Sequence, residues 1–281
     1  MLINWYPGHM HKAQKNIAEI MPRVDVVVEV LDARLPYSST NPMIEKLRGD
    51  KPYLKVMSKS DLADDSITEN WLTFLREQRN TDALTITTEN IAIAKTIPKR
   101  ILNLVPEKVG SHKAINALIM GIPNVGKSTL INTLLGRKVA KVGNEPAVTK
   151  AQQKLKIADK LFLIDTPGMT WPRSKNEMLN YRLAASGAIR DTALEYDDVG
   201  MFAMDYILQR YRDVVIKKYQ LSKDVDHAYD ALSELAKKRG CMSRGGPDLV
   251  RVGELFVREL RAGKLGRISF EEPHVSYPYR Q

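Results

Sequence analysis

Short apolar runs alternate with longer segments of helical period along the first part of the chain. The runs at 25–31, 53–57, 83–87, 114–120, 153–157 and 161–164 have strand length. Amphipathic segments at 12–21, 42–47, 66–79, 91–104 and 127–135 fill the gaps, and Pro98 is a candidate kink in the fourth. Alternation of this kind predicts an α/β fold on a mostly parallel six-stranded sheet. Only Ala158, Asp159 and Lys160 separate the last two runs. A parallel crossover needs many more residues, so this pair is predicted to be an antiparallel hairpin.

Beyond Trp171-Pro172 the texture changes. Helix-period stretches at 177–189, 199–212, 225–238 and 247–261 follow without a convincing strand, and the last stops at Gly263, a C-terminal helix signal. The pattern predicts an α/β domain over 1–175 and a small all-helical domain over 176–281. A basic, glycine-rich loop, 237–246, lies between the last two helices, and no internal repeat, heptad run or low-complexity tract is present.

Composition removes several classes. A single cysteine, Cys241, cannot form an internal disulfide, which excludes a disulfide-stapled secreted scaffold. No apolar run approaches membrane length, and the first residues lack the charged start and apolar stretch of a signal peptide. The expectation is a cytoplasmic chain with no membrane insertion. A formal charge of +10 suits a polyanionic partner, although a merely basic surface would give the same figure.

The strongest chemical signal is Gly121-Ile122-Pro123-Asn124-Val125-Gly126-Lys127-Ser128, which matches G-x-x-x-x-G-K-[ST] between an apolar strand and an amphipathic helix. Glycines let the backbone curl its N–H groups toward a phosphate, and the helix N-terminus adds positive potential. Asn124, Val125, Gly126, Lys127, Ser128 and Thr129 are therefore expected around a nucleotide's phosphates. Lys127 would reach the β- and γ-phosphates, and the Ser128 hydroxyl would ligate Mg²⁺. A second signal, Asp165-Thr166-Pro167-Gly168, ends the run at 161–164. Asp165 would hold Mg²⁺ through water, and the Gly168 N–H would meet the γ-phosphate. Between them, Thr149 in Pro146-Ala147-Val148-Thr149 could complete the metal's coordination.

Base recognition has its candidate upstream, in Ser58-Lys59-Ser60-Asp61 after the run at 53–57. Asp61 can accept from guanine N1–H and the exocyclic amine, while the Lys59 stem covers the base. Adenine would leave that carboxylate unpaired. Thr88, in Thr87-Thr88-Glu89, is a second base-side candidate. The base-reading half thus precedes the phosphate-binding half, a circular permutation of the usual GTPase order.

With that order the chain resembles the circularly permuted GTPases, and among them the bacterial group that serves ribosome biogenesis. Trp5-Tyr6-Pro7-Gly8-His9-Met10, Asp32-Ala33-Arg34-Leu35-Pro36 with Ser38-Ser39 and Asn41-Pro42, residues 121–129, residues 165–168 and Lys238-Arg239-Gly240-Cys241 carry the likeness. The resemblance implies GTP hydrolysis coupled to late assembly of the large (50S) ribosomal subunit, with ribosomal RNA and proteins as partners and a helical tail that binds them. It also implies that His9 positions or deprotonates the attacking water, against the plainer reading of a solvated histidine. Asn124 would bridge K⁺ to the phosphates, unless it only bonds the loop.

Two departures bear on chemistry. Ser58 stands where the family has Asn, so a base contact and a tie to the phosphate loop are expected to be shortened or lost, with guanine preference kept at weaker affinity. Met169 follows D-x-x-G where many GTPases carry a water-orienting Gln. Turnover alone is therefore expected to be slow, with Lys127, Thr149, Gly168 and His9 as the catalytic set and the ribosomal subunit as stimulator.

Because residues 165–168 precede the domain boundary directly, γ-phosphate sensing would pull on the helical domain, giving a monomeric, GTP-dependent docking switch. Seven Lys or Arg stand against Glu145 and Asp159 between 137 and 160, beside Thr149; Lys12, Lys15, Lys237, Lys238, Arg239 and Arg244 are further candidates for RNA phosphates. The rival classes are an RNA-binding assembly factor whose nucleotide site is only structural and a P-loop small-molecule kinase, which should carry a lid and an acceptor pocket.

Overall fold

The computed structural model describes residues 15–87, 90–137, 153–166, 176–189 and 191–275. Six strands, β1 (Val26–Asp32), β2 (Tyr53–Ser58), β3 (Thr81–Thr85), β4 (Ile115–Gly121), β5 (Gln153–Ala158) and β6 (Leu161–Asp165), form one sheet in the order β3-β2-β1-β4-β6-β5. All neighbours are parallel except β5 and β6. Their hairpin turns at Lys160, whose φ of 55° is left-handed. The edge strand β5 carries Lys154 and Lys156, charges that discourage edge-to-edge pairing.

β1 has valine at four of its seven positions and is buried at every one. Its one internal charge, Glu29, is satisfied: the carboxylate accepts from Asn41 N at 2.7 Å and from the Tyr53 hydroxyl, and Lys55 Nζ lies 3.6 Å away. From β1 the chain steps outward to β3, returns to β4 on the other side of β1, crosses to the edge strand β5 and turns back through the hairpin to β6, which lies between β4 and β5. Parallel pairing aligns Asp32 with Ser58, Val30 with Gly121 and Ile119 with Asp165, so the strands' carboxyl ends share one edge. The reversal between β1 and β4 opens a crevice there, the usual ligand position in open α/β sheets.

Helices α1 (Pro36–Ser39), α2 (Pro42–Arg48), α3 (Asp65–Arg76), α4 (Ile91–Ala94), α5 (Ile97–Leu104) and α6 (Lys127–Leu135) connect the strands. Residues 15–20 are also helical; Ile17 and Met21 pack with Val27, Ile44, Tyr53 and Leu118. α3 starts at an Asp64 cap, which accepts from Ile67 N, and sets Trp71, Leu72 and Leu75 against Leu31, Met57 and Ala83. Several element ends differ from the sequence pattern by one to a few residues, and two of the differences have a visible cause. β3 begins at Thr81, because polar Thr81 and Asp82 still pair with Tyr53 and Leu54. The segment at 91–104 is two helices rather than one kinked at Pro98: Pro98 occupies the first turn of α5, where its missing N–H costs nothing.

The helical region holds α7 (Glu177–Ser186), α8 (Tyr196–Arg210), α9 (Arg212–Tyr219), α10 (Ala228–Arg239) and α11 (Leu249–Arg261). The loop after α10 is a tight hairpin of β7 (Met242–Ser243) and β8 (Gly246–Pro247) beside buried Cys241. α8 and α11 meet through glycine: a Cβ at Gly253 would lie 2.2 Å from Tyr196 O. α7 ends at Gly187 (φ 86°), where Arg261 donates to the Ala184 and Ala185 carbonyls and to Asp191.

Among the described residues, one compact unit takes in 15–166 and 271–275, and the other 176–270. Glu271 anchors the returning tail: its buried carboxylate accepts from Ser38 N at 2.9 Å and from the Ser38 hydroxyl, and Trp71 Nε1 donates to its carbonyl. Among the described residues no helix is long and apolar enough to cross a membrane.

Candidate functional site

The phosphate side is built where β4 turns into α6. Gly121 leaves β4 so close to β1 that a Cβ there would lie 2.7 Å from Val30 O and 2.8 Å from Val125 Cγ1. Asn124 (φ 58°) and Gly126 (φ 97°) are both left-handed, a geometry that turns successive N–H groups inward to form an anion-binding nest. α6 begins with Gly126 at its cap and no side chain bonded there, so its first N–H groups face the same concavity.

Lys127 is buried, and its ammonium donates to Asp165 Oδ1 and to Thr166 O, the latter at 2.6 Å. Thr166 Oγ1 donates in turn to Ile119 O, fastening the end of β6 to β4. Ser128 follows in the first turn of α6. A hydroxyl and a carboxylate are the oxygen donors that suit Mg²⁺, and the nest suits phosphates, so the residues present fit a Mg-nucleotide.

The base side is built at the end of β2. Ser58 Oγ stands within hydrogen-bonding distance of two carbonyls, Val125 O in the phosphate loop and Leu31 O at 2.9 Å. The tie expected to be shortened or lost at Ser58 is therefore made by the hydroxyl itself. It is possible because β2 and the loop approach so closely that a Cβ at Gly126 would sit 3.8 Å from Ser58. Lys59 adopts φ 56° and donates to Asp32 Oδ2 at 3.0 Å. Asp61 follows with an exposed side chain, and Ser60 N bonds Ile86 O, joining this loop to the end of β3.

Asp32 and Arg34 lie beneath that loop as a buried pair. Burial pushes the Asp32 carboxyl upward, but Arg34 and then Lys59 overcome it and hold the group well below the ordinary carboxylate range. Burial opposes the Arg34 charge, while Asp32 and then Asp61 restore it and raise the group above its usual value. Apolar patterning assigns these two residues no chemistry; the signal available was a carboxylate ending an apolar strand with an arginine two residues on.

The structure brings Ser58, Lys59, Asp61, Asn124, Val125, Gly126, Lys127, Ser128, Thr129 and Asp165 to the carboxyl edge of the sheet or to the turns leaving it. His9, Thr88, Thr149, Gly168 and residues 138–152 of the basic stretch lie outside the described residues.

A family model described as a 50S ribosome-binding GTPase matches residues 116–238, beginning in β4. Ribosome biogenesis GTPase A of Bacillus cereus is 40% identical over 97% of this chain and 95% of its own length. The protein of that name from Thermotoga maritima is 31% identical over 99% of this chain and 98% of its own. Among solved structures, GNP-bound YlqF from T. maritima covers 94% of this chain with 99% of its own, at 26% identity and a TM-score of 0.66. A GDP-bound YlqF structure matches at 25% identity and a TM-score of 0.65, with 92% of this chain and all of that one covered.

Proposed function

The chain belongs to the ribosome biogenesis GTPase A family and hydrolyses GTP, and from that premise we propose that it is an assembly factor of the large ribosomal subunit, docking with GTP and leaving after hydrolysis. The observation that supports the large-subunit reading is the match to a family model described as a 50S ribosome-binding GTPase, and the Ser58 bond to Val125 O supports a single nucleotide site by joining the base-reading and phosphate-binding halves although their order along the chain is reversed.

In this reading Asp61 selects guanine, and the Lys59 stem covers the base. Lys127 would exchange the Asp165 carboxylate for phosphate oxygens, which would free Asp165 to hold Mg²⁺ through water beside the hydroxyls of Ser128 and Thr149. Bound Mg²⁺ neutralises charge on the phosphates. The Gly168 N–H meets the γ-phosphate, and His9 orients the attacking water, since Met169 can neither donate nor accept usefully. Asn124 would hold a K⁺ ion, which would supply further positive charge. The basic stretch at 137–160, with Lys237, Lys238, Arg239 and Arg244 of the helical domain, contacts ribosomal RNA, so binding weakens steeply with salt. Free in the cytoplasm, the chain is a monomer.

Sedimentation with purified large subunits tests the proposal. A non-hydrolysable GTP analogue should retain the chain in the subunit fraction and GDP should release it; equal retention in both states would remove the docking switch.

A further inference from the structure

The base-reading loop leaves β2 through Lys59, a residue with a Cβ in the left-handed region (φ 56°, ψ 34°). That conformation is costly outside glycine and persists only where the surroundings over-determine it. Here the determinant is visible. Lys59 Nζ donates to Asp32 Oδ2 at 3.0 Å, and Asp32 is itself immobilised. Arg34 donates to it three times, from N at 3.1 Å and Nε at 2.9 Å to Oδ1, and from Nη2 at 2.8 Å to Oδ2. The Asp32 N–H donates to Ser39 Oγ at 3.1 Å, and Ser39 Oγ donates on to Leu35 O.

Backbone bonding runs the same way, with Ala33 N donating to Ser58 O at 2.9 Å. Asp32 and Arg34 are each only 1–2% exposed. Their bidentate pairing fixes direction as well as charge. The Lys59 ammonium, with a quarter of its side chain exposed, is thereby committed to the floor of the site, and what remains for a ligand is its aliphatic stem.

Resting on the guanine-nucleotide reading of this site, we infer that Asp32 is a positioning residue for base recognition: its carboxylate, locked by Arg34, holds Lys59 so that the lysine stem and the Asp61 carboxylate are presented to the base together. Asp32 touches no ligand in this arrangement. Its loss raises the concentration of GTP needed without slowing turnover at saturation, because the phosphate side is held separately by Lys127 and the loop at 121–128. A pair that merely closed a buried turn would change stability and leave no signature that depends on the charge at position 59.

The test is calorimetric titration of the full chain with GDP and ADP, alongside GTP turnover at saturation. Asp32→Asn and Lys59→Gln should each weaken GDP binding about tenfold, and their combination should be no worse than either alone. Lys59→Arg, which can still reach Asp32, should stay within about twofold of the parent. Saturated turnover should be unchanged in Asp32→Asn. Equal GDP affinity of Lys59→Arg and Lys59→Gln, or additive losses in the double variant, would overturn the inference; if Asp32→Asn fails to fold, the two Lys59 variants decide. Parent protein that binds ADP as tightly as GDP would instead remove the guanine reading on which this rests.

Discussion

Lys127 donates to the Asp165 carboxylate, so the residue suited to the phosphates and the residue suited to the metal hold each other. Two buried opposite charges satisfy one another in this way, and neither is available to a ligand until the other finds a substitute. Nucleotide phosphates for Lys127 and Mg²⁺ for Asp165 would be such substitutes, and on the proposed function the two ligands would be coupled.

Lys127→Ala should therefore weaken GTP binding by at least about tenfold, since it removes a charge-assisted contact and leaves the Asp165 carboxylate without its cation. For the parent protein, Mg²⁺ alone should raise the melting temperature less than GDP and Mg²⁺ together. Titration and thermal unfolding check both; unchanged affinity in the variant would contradict the exchange.

Ser58→Ala removes the hydroxyl that can donate to Val125 O or to Leu31 O. A net loss of about 0.5–1.5 kcal/mol corresponds to a roughly two- to tenfold fall in nucleotide affinity. GTP should still bind more tightly than ATP, because Asp61 is untouched. ATP bound as tightly as GTP by the parent chain would show that Asp61 does not read the base.

Gly253→Ala is expected to destabilise the helical unit by about 1–3 kcal/mol, since its methyl would meet Tyr196 O at 2.2 Å and α8 and α11 must move apart. Thermal unfolding should show the loss while GDP titration stays unchanged. A parent-like melting curve would mean the helices accommodate the methyl.

Glu271→Ala leaves the buried Ser38 N–H and hydroxyl without the carboxylate they share. About 1–3 kcal/mol should be lost from the sheet unit, read as a lower denaturant midpoint. Glu271→Gln, which keeps one acceptor oxygen, should recover part of it. No change in either variant would reduce the tail to a surface contact.

The sheet and the phosphate loop were legible in the sequence because each obeys a local rule: apolar runs for β1, β2, β4 and β6, fixed glycine spacing for residues 121–128. What escaped depends on distance or on polar residues. The strand start at Thr81 and Asp82 carries no apolar mark, and α9, with Arg212, Asp213, Lys217 and Lys218, shows little amphipathic contrast. The break before Ile97 follows from Pro98 starting a helix rather than bending one. Glu271 lies 233 positions from Ser38, and no periodicity reports such a pair. Lys59 and Asp61 were singled out by their motif and Asp32 and Arg34 by the family likeness, but the contact between the two segments was not legible, because they end neighbouring strands far apart in sequence. Likewise, replacing the family's Asn with Ser58 suggested a missing tie, whereas the close approach of β2 and the loop lets the shorter side chain make it.

On the proposed function, turnover at the GTP site is completed by the ribosomal partner. The most direct measurement is GTP hydrolysis by the full chain in K⁺ buffer, with and without purified large ribosomal subunits. Turnover should be slow alone and at least about tenfold faster with subunits, a modest share of what partner-supplied groups give other GTPases. Binding of GTP with the same rate in both mixtures, or with no turnover in either, would contradict it.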